Sequence, residues 1–243
     1  MTDELPPAEK AKRAAAARAL DWIEDGMKLG LGTGSTAKWF VDLLAPHLAE
    51  TGKKIVGVPT SSRTKAQAER LGIPLSTLGD LGSLDVTVDG ADEFDGAMNL
   101  IKGGGGALLQ EKIVAAASEK MVVISDPSKE VKMLGAFDLP IEVVRFGCES
   151  TQAHVAEVLR DADVAGRVIS RRMADGEPFI TDEGHYILDL ALQQIGDPDI
   201  LSVSLNLVPG VVETGLFCGM ADAVIVGQSD GTAQVIEGDP STD

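Results

Sequence analysis

Leu84-Asp85-Val86-Thr87-Val88-Asp89-Gly90-Ala91-Asp92-Glu93 joins a strand to a turn crowded with carboxylates. Leu84, Val86 and Val88 alternate at the period of a strand, and the strand runs into Asp89, Asp92 and Glu93. Lys102-Gly103-Gly104-Gly105-Gly106 follows shortly, and Glu111 falls near the start of an Ala-rich helical segment, Ala107 to Ser118. Turns favour Asp and Gly for steric reasons alone, so the plainer reading is a solvated acidic loop. Glu111 by itself reads as a surface helix residue beside Gln110 and Lys112. Against this, polar groups so dense on so permissive a backbone are hard to explain as packing.

The surrounding chain places the turn. Glu9 to Ile23 reads as an amphipathic helix ended by Gly26. Met27 to Leu31 is a strand, Gly32-Thr33-Gly34-Ser35-Thr36 a turn, and Ala37 to Leu44 a helix that Pro46 and the polar residues to Gly52 close. Lys54 to Val58 is a second strand ending at Pro59-Thr60-Ser61-Ser62, and Thr64 to Leu71 a helix stopped by Gly72. Met121 to Ser125 is a further strand, ending at Asp126-Pro127-Ser128-Lys129. Strand and helix alternating at this spacing predict βαβ units and a parallel sheet. The clusters Thr33–Thr36, Thr60–Ser62, Asp89–Glu93 and Ser128-Lys129 all follow carboxyl ends of strands, the edge where open α/β sheets bind ligands.

The pattern changes after Leu139. Pro140 to Arg145 reads as a strand, Ser150 to Arg160 as a helix, and Arg167 to Arg172 and Phe179 to Thr181 as strands. Asp182-Glu183-Gly184 is a turn into the strand Tyr186 to Leu190. Asp197 to Leu207 is helical with Pro198 in its first turn, and Val211 to Phe217 is a strand. This β-α-β-β-α-β order suggests a ferredoxin-like unit. Ala223 to Val226 returns to the first sheet, and Gly231 to Asp243 reads as a frayed acidic tail. The expected fold is α/β: an open parallel-sheet βαβ domain, residues 1–137 plus 213–243, with a smaller ferredoxin-like α+β domain, 138–212, inserted before the last strand.

A net charge of −17 over 243 residues argues against nucleic acid and anionic membrane as partners, since both need basic surface. It also requires any phosphate site to be locally positive. A soluble acidic surface and adaptation to high salt account for the charge equally well. The N-terminus carries no signal-peptide pattern and no apolar run is long enough to span a bilayer. Cys148 and Cys218 form no CxxC pair, so reduced thiols in a cytoplasm are expected. His47, His154 and His185 are scattered, with no metal-ligand spacing, so no metal is expected.

Gly32-Thr33-Gly34-Ser35-Thr36-Ala37 fits G-x-G-x-x-A, but a dinucleotide site needs an acid about 20 residues on, at the end of the second strand. Pro59-Thr60-Ser61 stands there instead, and no Walker A lysine is present. Bare amides, hydroxyls and a helix N-terminus remain, which suit a single phosphate. An ordinary glycine turn with a hydroxyl cap is the competing reading.

GLGTGSTA, VDGADE, KGGGGALLQEKI, SDPSK, LPIEVV and PGVVETGLF occur in this order from about Ala14 to Gln228. Together they resemble ribose-5-phosphate isomerase type A. The resemblance implies interconversion of ribose 5-phosphate and ribulose 5-phosphate without metal or organic cofactor. It implies Glu111 as the base between C1 and C2, and Asp89 and Asp92 as groups that contact the sugar hydroxyls and assist ring opening. Lys102 and the amides that follow would stabilise the enediolate oxygen. Thr33, Gly34, Ser35, Thr36, Gly90, Ala91, Gly103, Gly104, Gly105 and Lys129 would complete the substrate-binding shell, and a homodimer or homotetramer is implied. Lys12 aligns with an N-terminal lysine of the family in an alanine-rich stretch. An amino-sugar-phosphate deaminase or a sugar lactonase of this broad fold group would be expected to carry catalytic His residues, and no His here falls in a motif. A sugar-phosphate sensor of a transcription regulator would need an attached DNA-binding module and basic surface.

Overall fold

Val86–Gly90 lies in the interior of a six-stranded sheet, and the acidic turn begins at its carboxyl end. The structure is a computed structural model that describes residues 5–238. In chain order the first elements are α1 (Pro7–Ala19), β1 (Lys28–Leu31), α2 (Ala37–Thr51), β2 (Val56–Pro59), α3 (Ser62–Arg70), α4 (Leu78–Leu81), β3 (Val86–Gly90), β4 (Glu93–Phe94), β5 (Leu100–Ile101) and α5 (Leu108–Ala116). There follow β6 (Met121–Ser125), β7 (Leu139–Val143), α6 (Cys148–Asp161), β8 (Val168–Arg171), β9 (Met173–Ala174), β10 (Glu177–Pro178) and β11 (Tyr186–Ala191). The chain closes with α7 (Pro198–Asn206), β12 (Val211–Thr214), β13 (Leu216–Phe217), β14 (Ala223–Gly227) and β15 (Ala233–Glu237). It divides into two compact units.

The first unit runs through Ala91, resumes over Gln110–Lys129 and returns from Met220. Its strands lie in the order β15-β14-β6-β3-β1-β2. All neighbours are parallel except β14 and β15. The interior strands β6 and β14 are buried along their whole length, as continuous apolar runs in a parallel sheet must be. Gly30 interrupts β1 because a Cβ there would lie 1.9 Å from Thr87 Oγ1 on the neighbouring strand. The alanines of α1 also have a packing reason: Ala11, Ala15, Ala16 and Ala19 are buried. A Cβ on Gly227 of β14 would meet the Ala11 carbonyl at 2.0 Å. Only small side chains permit so close an approach.

Two expectations fail in this unit. The helix after the glycine turn does not stop at Leu44 but continues through Pro46 to Thr51. One intrahelical bond is lost at the proline, yet Leu44 is buried and Leu48 packs on the same core beyond it. Gly52 then ends the helix at φ +73°, its N–H bonded to Leu48 O at 2.9 Å. The tail is not frayed from Gly231: Ala233–Glu237 pairs antiparallel with β14. It escaped notice because an edge strand is half exposed and carries polar residues. Residues 239–243 lie outside the described residues.

The second unit comprises Asp92–Leu109 and Glu130–Gly219. Its four-stranded sheet, ordered β12-β7-β11-β8, is antiparallel throughout. With α6 and α7 in the connections, this is the ferredoxin-like pattern. A second sheet, ordered β13-β5-β4, carries the start of the glycine run. The expected strand Val211–Phe217 is split at Gly215 between these sheets; a Cβ there would lie 2.4 Å from the Lys102 carbonyl. Phe179–Thr181 is not a strand. A short hairpin, β9 to β10, precedes it, turning through Asp175 (φ +51°) and Gly176 (φ +84°), as a type I′ turn requires.

Candidate active site

In the first unit the glycine turn after β1 is tied to the end of β3. Gly32 N–H donates to Val88 O at 3.0 Å, and Thr33 N–H to Asp89 Oδ1 at 3.0 Å. Gly90 N–H reaches the same Asp89 oxygen at 2.7 Å. Asp89 is fully buried, so its carboxylate is oriented by backbone amides and not by solvent. Thr33 is buried too, and its hydroxyl bonds within the protein, to Thr60 Oγ1 (2.8 Å), Ser61 Oγ (2.7 Å) and Thr64 Oγ1 (2.9 Å). Ser61 caps α3 by accepting from Thr64 N–H at 3.1 Å. The hydroxyl cluster thus joins the glycine turn to the end of β2.

Gly34 has φ +135°, which only glycine adopts without strain. Ser35 is exposed, and Thr36 is the buried N-cap residue of α2. The N-terminus of α2 presents the amides and the positive end of the helix dipole to this turn. Beside it opens a cleft of about 480 Å³ lined by Gly34, Ser35, Lys38, Arg63, Gln67 and Arg70. Three cationic side chains, Lys38, Arg63 and Arg70, therefore stand next to the turn in a chain of net charge −17, with Lys38 also paired to Asp42 at 3.7 Å. Lys129 is half-buried at the end of a 3₁₀ turn after β6, where Ser128 N–H and Oγ both bond to Asp126 Oδ1. Glu111 is buried in the first turn of α5. Lys12 is ion-paired with Glu9 at 2.9 Å; hydrogen bonds from Lys12 and Trp39 hold the Glu9 carboxyl below the ordinary range.

In the second unit Asp92 N–H donates to Ile101 O, and Asp92 Oδ2 accepts from Gly104 N–H at 2.7 Å. A Cβ on Gly104 would lie 2.7 Å from Asp92 Oδ1, so a larger residue would have to displace the carboxylate that accepts its N–H. Lys102 is buried, its N–H bonded to Gly215 O at 2.8 Å and its ammonium 5.4 Å from the Phe217 ring centroid. Gly103 (φ +103°) and Gly106 (φ +79°) close a turn through Gly106 N–H to Gly103 O at 2.9 Å. Gly105 is exposed. Glu93, the third acid of the turn, accepts from Gly135 N–H (2.8 Å) and Phe137 N–H (2.6 Å). Its carboxylate thus holds backbone in place.

The chain passes between the units at Ala91/Asp92, Leu109/Gln110, Lys129/Glu130 and Gly219/Met220. The first unit thus holds Thr33–Thr36, Asp89, Gly90, Ala91, Glu111 and Lys129, and the second holds Asp92 and Lys102–Gly105. The sequence offered no sign of the hydroxyl cluster's inward role, nor of Arg172, which bonds to two carbonyls of the glycine run. Both depend on tertiary pairing between distant segments. Among the described residues, no three His, Cys, Asp or Glu side chains are grouped to hold a metal ion. Nor, among them, is any helix long and apolar enough to cross a membrane.

The model of the family ribose 5-phosphate isomerase A (phosphoriboisomerase A) matches residues 56–231. The chain is 56% identical over 235 residues to ribose-5-phosphate isomerase A of Ruegeria pomeroyi, covering 97% of this chain and 90% of that protein. It is 53% identical to the protein of the same name from Jannaschia sp., with the same coverage. Among solved structures, a D-ribose-5-phosphate isomerase in complex with phospho-erythronic acid superposes with a TM-score of 0.88 at 38% identity, covering 96% of this chain and 100% of that one. Ribose 5-phosphate isomerase from Plasmodium falciparum also gives 0.88, at 35% identity and with 94% and 98% covered. With a family model spanning most of its length and relatives more than half identical along nearly all of it, the chain belongs to the ribose 5-phosphate isomerase A family.

Proposed function

We propose that this isomerase interconverts D-ribose 5-phosphate and D-ribulose 5-phosphate through an enediolate, with Glu111 carrying the proton between C1 and C2. After ring opening, the carboxylate takes the C2 proton of the aldose. The electron pair moves into a C1–C2 double bond and negative charge collects on the C1 oxygen. Return of the proton to C1, with a hydroxyl proton shifted from O2 to O1, gives the ketose. Asp89 and Asp92 hold the sugar hydroxyls and assist ring opening. Lys102 and the amides of Gly103 and Gly105 balance the charge on oxygen, while the Gly104 amide, donated to Asp92, holds that carboxylate against the run. Donors fixed in advance suit that task, because they need not reorganise as the charge appears.

Gly34, Ser35, Thr36 and Lys129 hold the phosphorylated substrate, with the α2 N-terminus and the cationic cleft supplying local positive potential. Gly90 and Ala91 line the sugar. Thr33 contributes by orienting Asp89 through its amide, since its hydroxyl is engaged within the protein. Self-association as a homodimer or homotetramer belongs to the same reading. It is supported by an exposed apolar stripe on α7 and its C-cap, formed by Ile200, Val203 and Leu207. A cytoplasmic setting is supported by Cys148 and Cys218, neither of which is in a disulfide among the described residues.

The observation that carries the mechanism is the buried carboxylate of Glu111 in the first turn of α5, directly after the lysine–glycine run. Glu111→Gln keeps the size and hydrogen-bonding capacity of the side chain but cannot take a proton. Its turnover should fall by roughly 10²–10⁴-fold, with the circular dichroism spectrum and melting temperature unchanged. Wild-type turnover in a folded Glu111→Gln protein removes Glu111 as the base.

A further inference from the structure

We propose that Arg172 is a positioning residue for the isomerisation: braced by Asp189, it fixes the glycine run so that its amides are set before charge develops on the substrate. The proposal rests on the reading that Lys102–Gly106 faces the reacting carbons. Four successive glycines have more backbone freedom than any other tetrapeptide, and no side chain of their own can hold them. A preorganised donor set built from them needs an external clamp.

Arg172 follows β8 directly, and its backbone is fixed on both sides. Its N–H donates to Ile187 O, and its carbonyl accepts from Phe179 N–H, each at 2.9 Å. Its guanidinium is engaged on every nitrogen. Nε donates to Asp189 Oδ2 at 3.0 Å and Nη2 to Asp189 Oδ1, a two-pronged pair. Nη1 donates to Gly103 O at 2.8 Å and Gly104 O at 3.2 Å. Asp189 stands on β11, paired with Ser170 of β8, so the fork is mounted on two bonded strands. The Phe179 ring lies 6.0 Å from the guanidinium carbon and fills the space that a Cβ on Gly106 would need, at 2.4 Å.

Asp92 holds the run from its other polar face by accepting the Gly104 N–H. In a trans peptide the carbonyl and the following N–H point in opposite directions. Fixing the Gly104 carbonyl therefore turns the Gly105 N–H away from the guanidinium. A lysine at position 172 could not reproduce this, because one ammonium cannot brace against a carboxylate and span two carbonyls in a plane.

The test compares Arg172→Gln, Arg172→Lys, Asp189→Asn and Lys102→Ala in the full chain. It reads kcat and KM for ribose 5-phosphate, the inhibition constant of phospho-erythronic acid, and the melting temperature. Phospho-erythronic acid carries a carboxylate that mimics the charge of the enediolate. Arg172→Gln and Asp189→Asn should lower kcat by about 10–100-fold, the loss expected when reacting groups are misplaced by an ångström or less. KM should move by less than about 3-fold, because an interaction realised in the transition state is what is lost. Inhibitor binding should weaken in step with kcat, and Arg172→Lys should not restore it. A folded Arg172→Gln protein with wild-type kcat, or with a loss confined to KM, overturns the positioning role while a crippled Lys102→Ala leaves the reading of the run intact. Wild-type turnover in Lys102→Ala overturns that reading itself. If Arg172→Gln does not fold, Asp189→Asn decides by the same measurements.

Discussion

A methyl group on Gly32 would lie 2.2 Å from Asp89 Oδ1 and 2.6 Å from its Cα. The contact is with a buried carboxylate that two amides already hold, so neither partner can yield without losing a hydrogen bond. Gly32→Ala should therefore lower stability by about 1–3 kcal/mol, as overpacking does, and should reduce turnover more than substrate affinity. Chemical denaturation and steady-state kinetics on the same preparation check both halves of this expectation. A stable Gly32→Ala enzyme with normal kcat would mean that the Asp89 orientation matters little. The glycine pattern reads in the sequence as a candidate anion-binding turn, but the packing reason for its first glycine is not legible there. That reason is a carboxylate 57 residues later in the chain. Thr33 shows the same limit: residue type suggests a hydroxyl at the turn, but not its bonding to Thr60, Ser61 and Thr64 from distant segments.

At the scale of elements, the parallel strands were readable because each is a short apolar run ending in a polar turn. Elements that depend on a partner were harder to see. β15 reads as tail until β14 is beside it, and α2 survives Pro46 only because its far half packs on the core. One element carries a buried charge that sequence gave no reason to expect. Glu142 on β7 is almost fully buried and accepts from Thr181 Oγ1 at 2.8 Å, with His185 Nδ1 at 2.9 Å from the same oxygen. Burial pushes its carboxyl above the ordinary carboxylate range, partly offset by these two hydrogen bonds. The folded protein thus binds that proton more tightly than the unfolded chain does. The resulting stabilisation is complete below the unfolded value of 4.5 and is lost as pH rises through the folded one. Glu142→Gln retains an acceptor oxygen without the charge. It should melt higher than the wild type at pH 8, and the gap should close as the pH falls towards 4. A wild-type protein that melts higher at pH 8 would show that the charged form is the better satisfied one.

For the whole molecule, the proposed phosphate site would reconcile the net charge of −17 with an anionic substrate: a helix N-terminus and a cleft bearing Lys38, Arg63 and Arg70 adjoin the glycine turn. Charge also bears on assembly, because like-charged copies repel and need a compensating apolar contact. On α7 and its C-cap, Ile200, Val203 and Leu207 recur at helical spacing and are 65%, 62% and 78% exposed. The other side of that helix, Leu201 and Leu205, is already buried. The proposed self-association would cover that second apolar side. Burying three such side chains contributes roughly 1.5–3 kcal/mol each, and a buried unpaired carboxylate reverses the sign of that term. Val203→Glu combined with Leu207→Glu should weaken self-association by at least about 100-fold, giving monomers in sedimentation velocity at micromolar protein. The melting temperature at low protein concentration should be unchanged, since neither side chain belongs to the core. Oligomers that persist in the double variant would place the contact elsewhere, and a wild-type chain that sediments as a monomer would remove the association altogether.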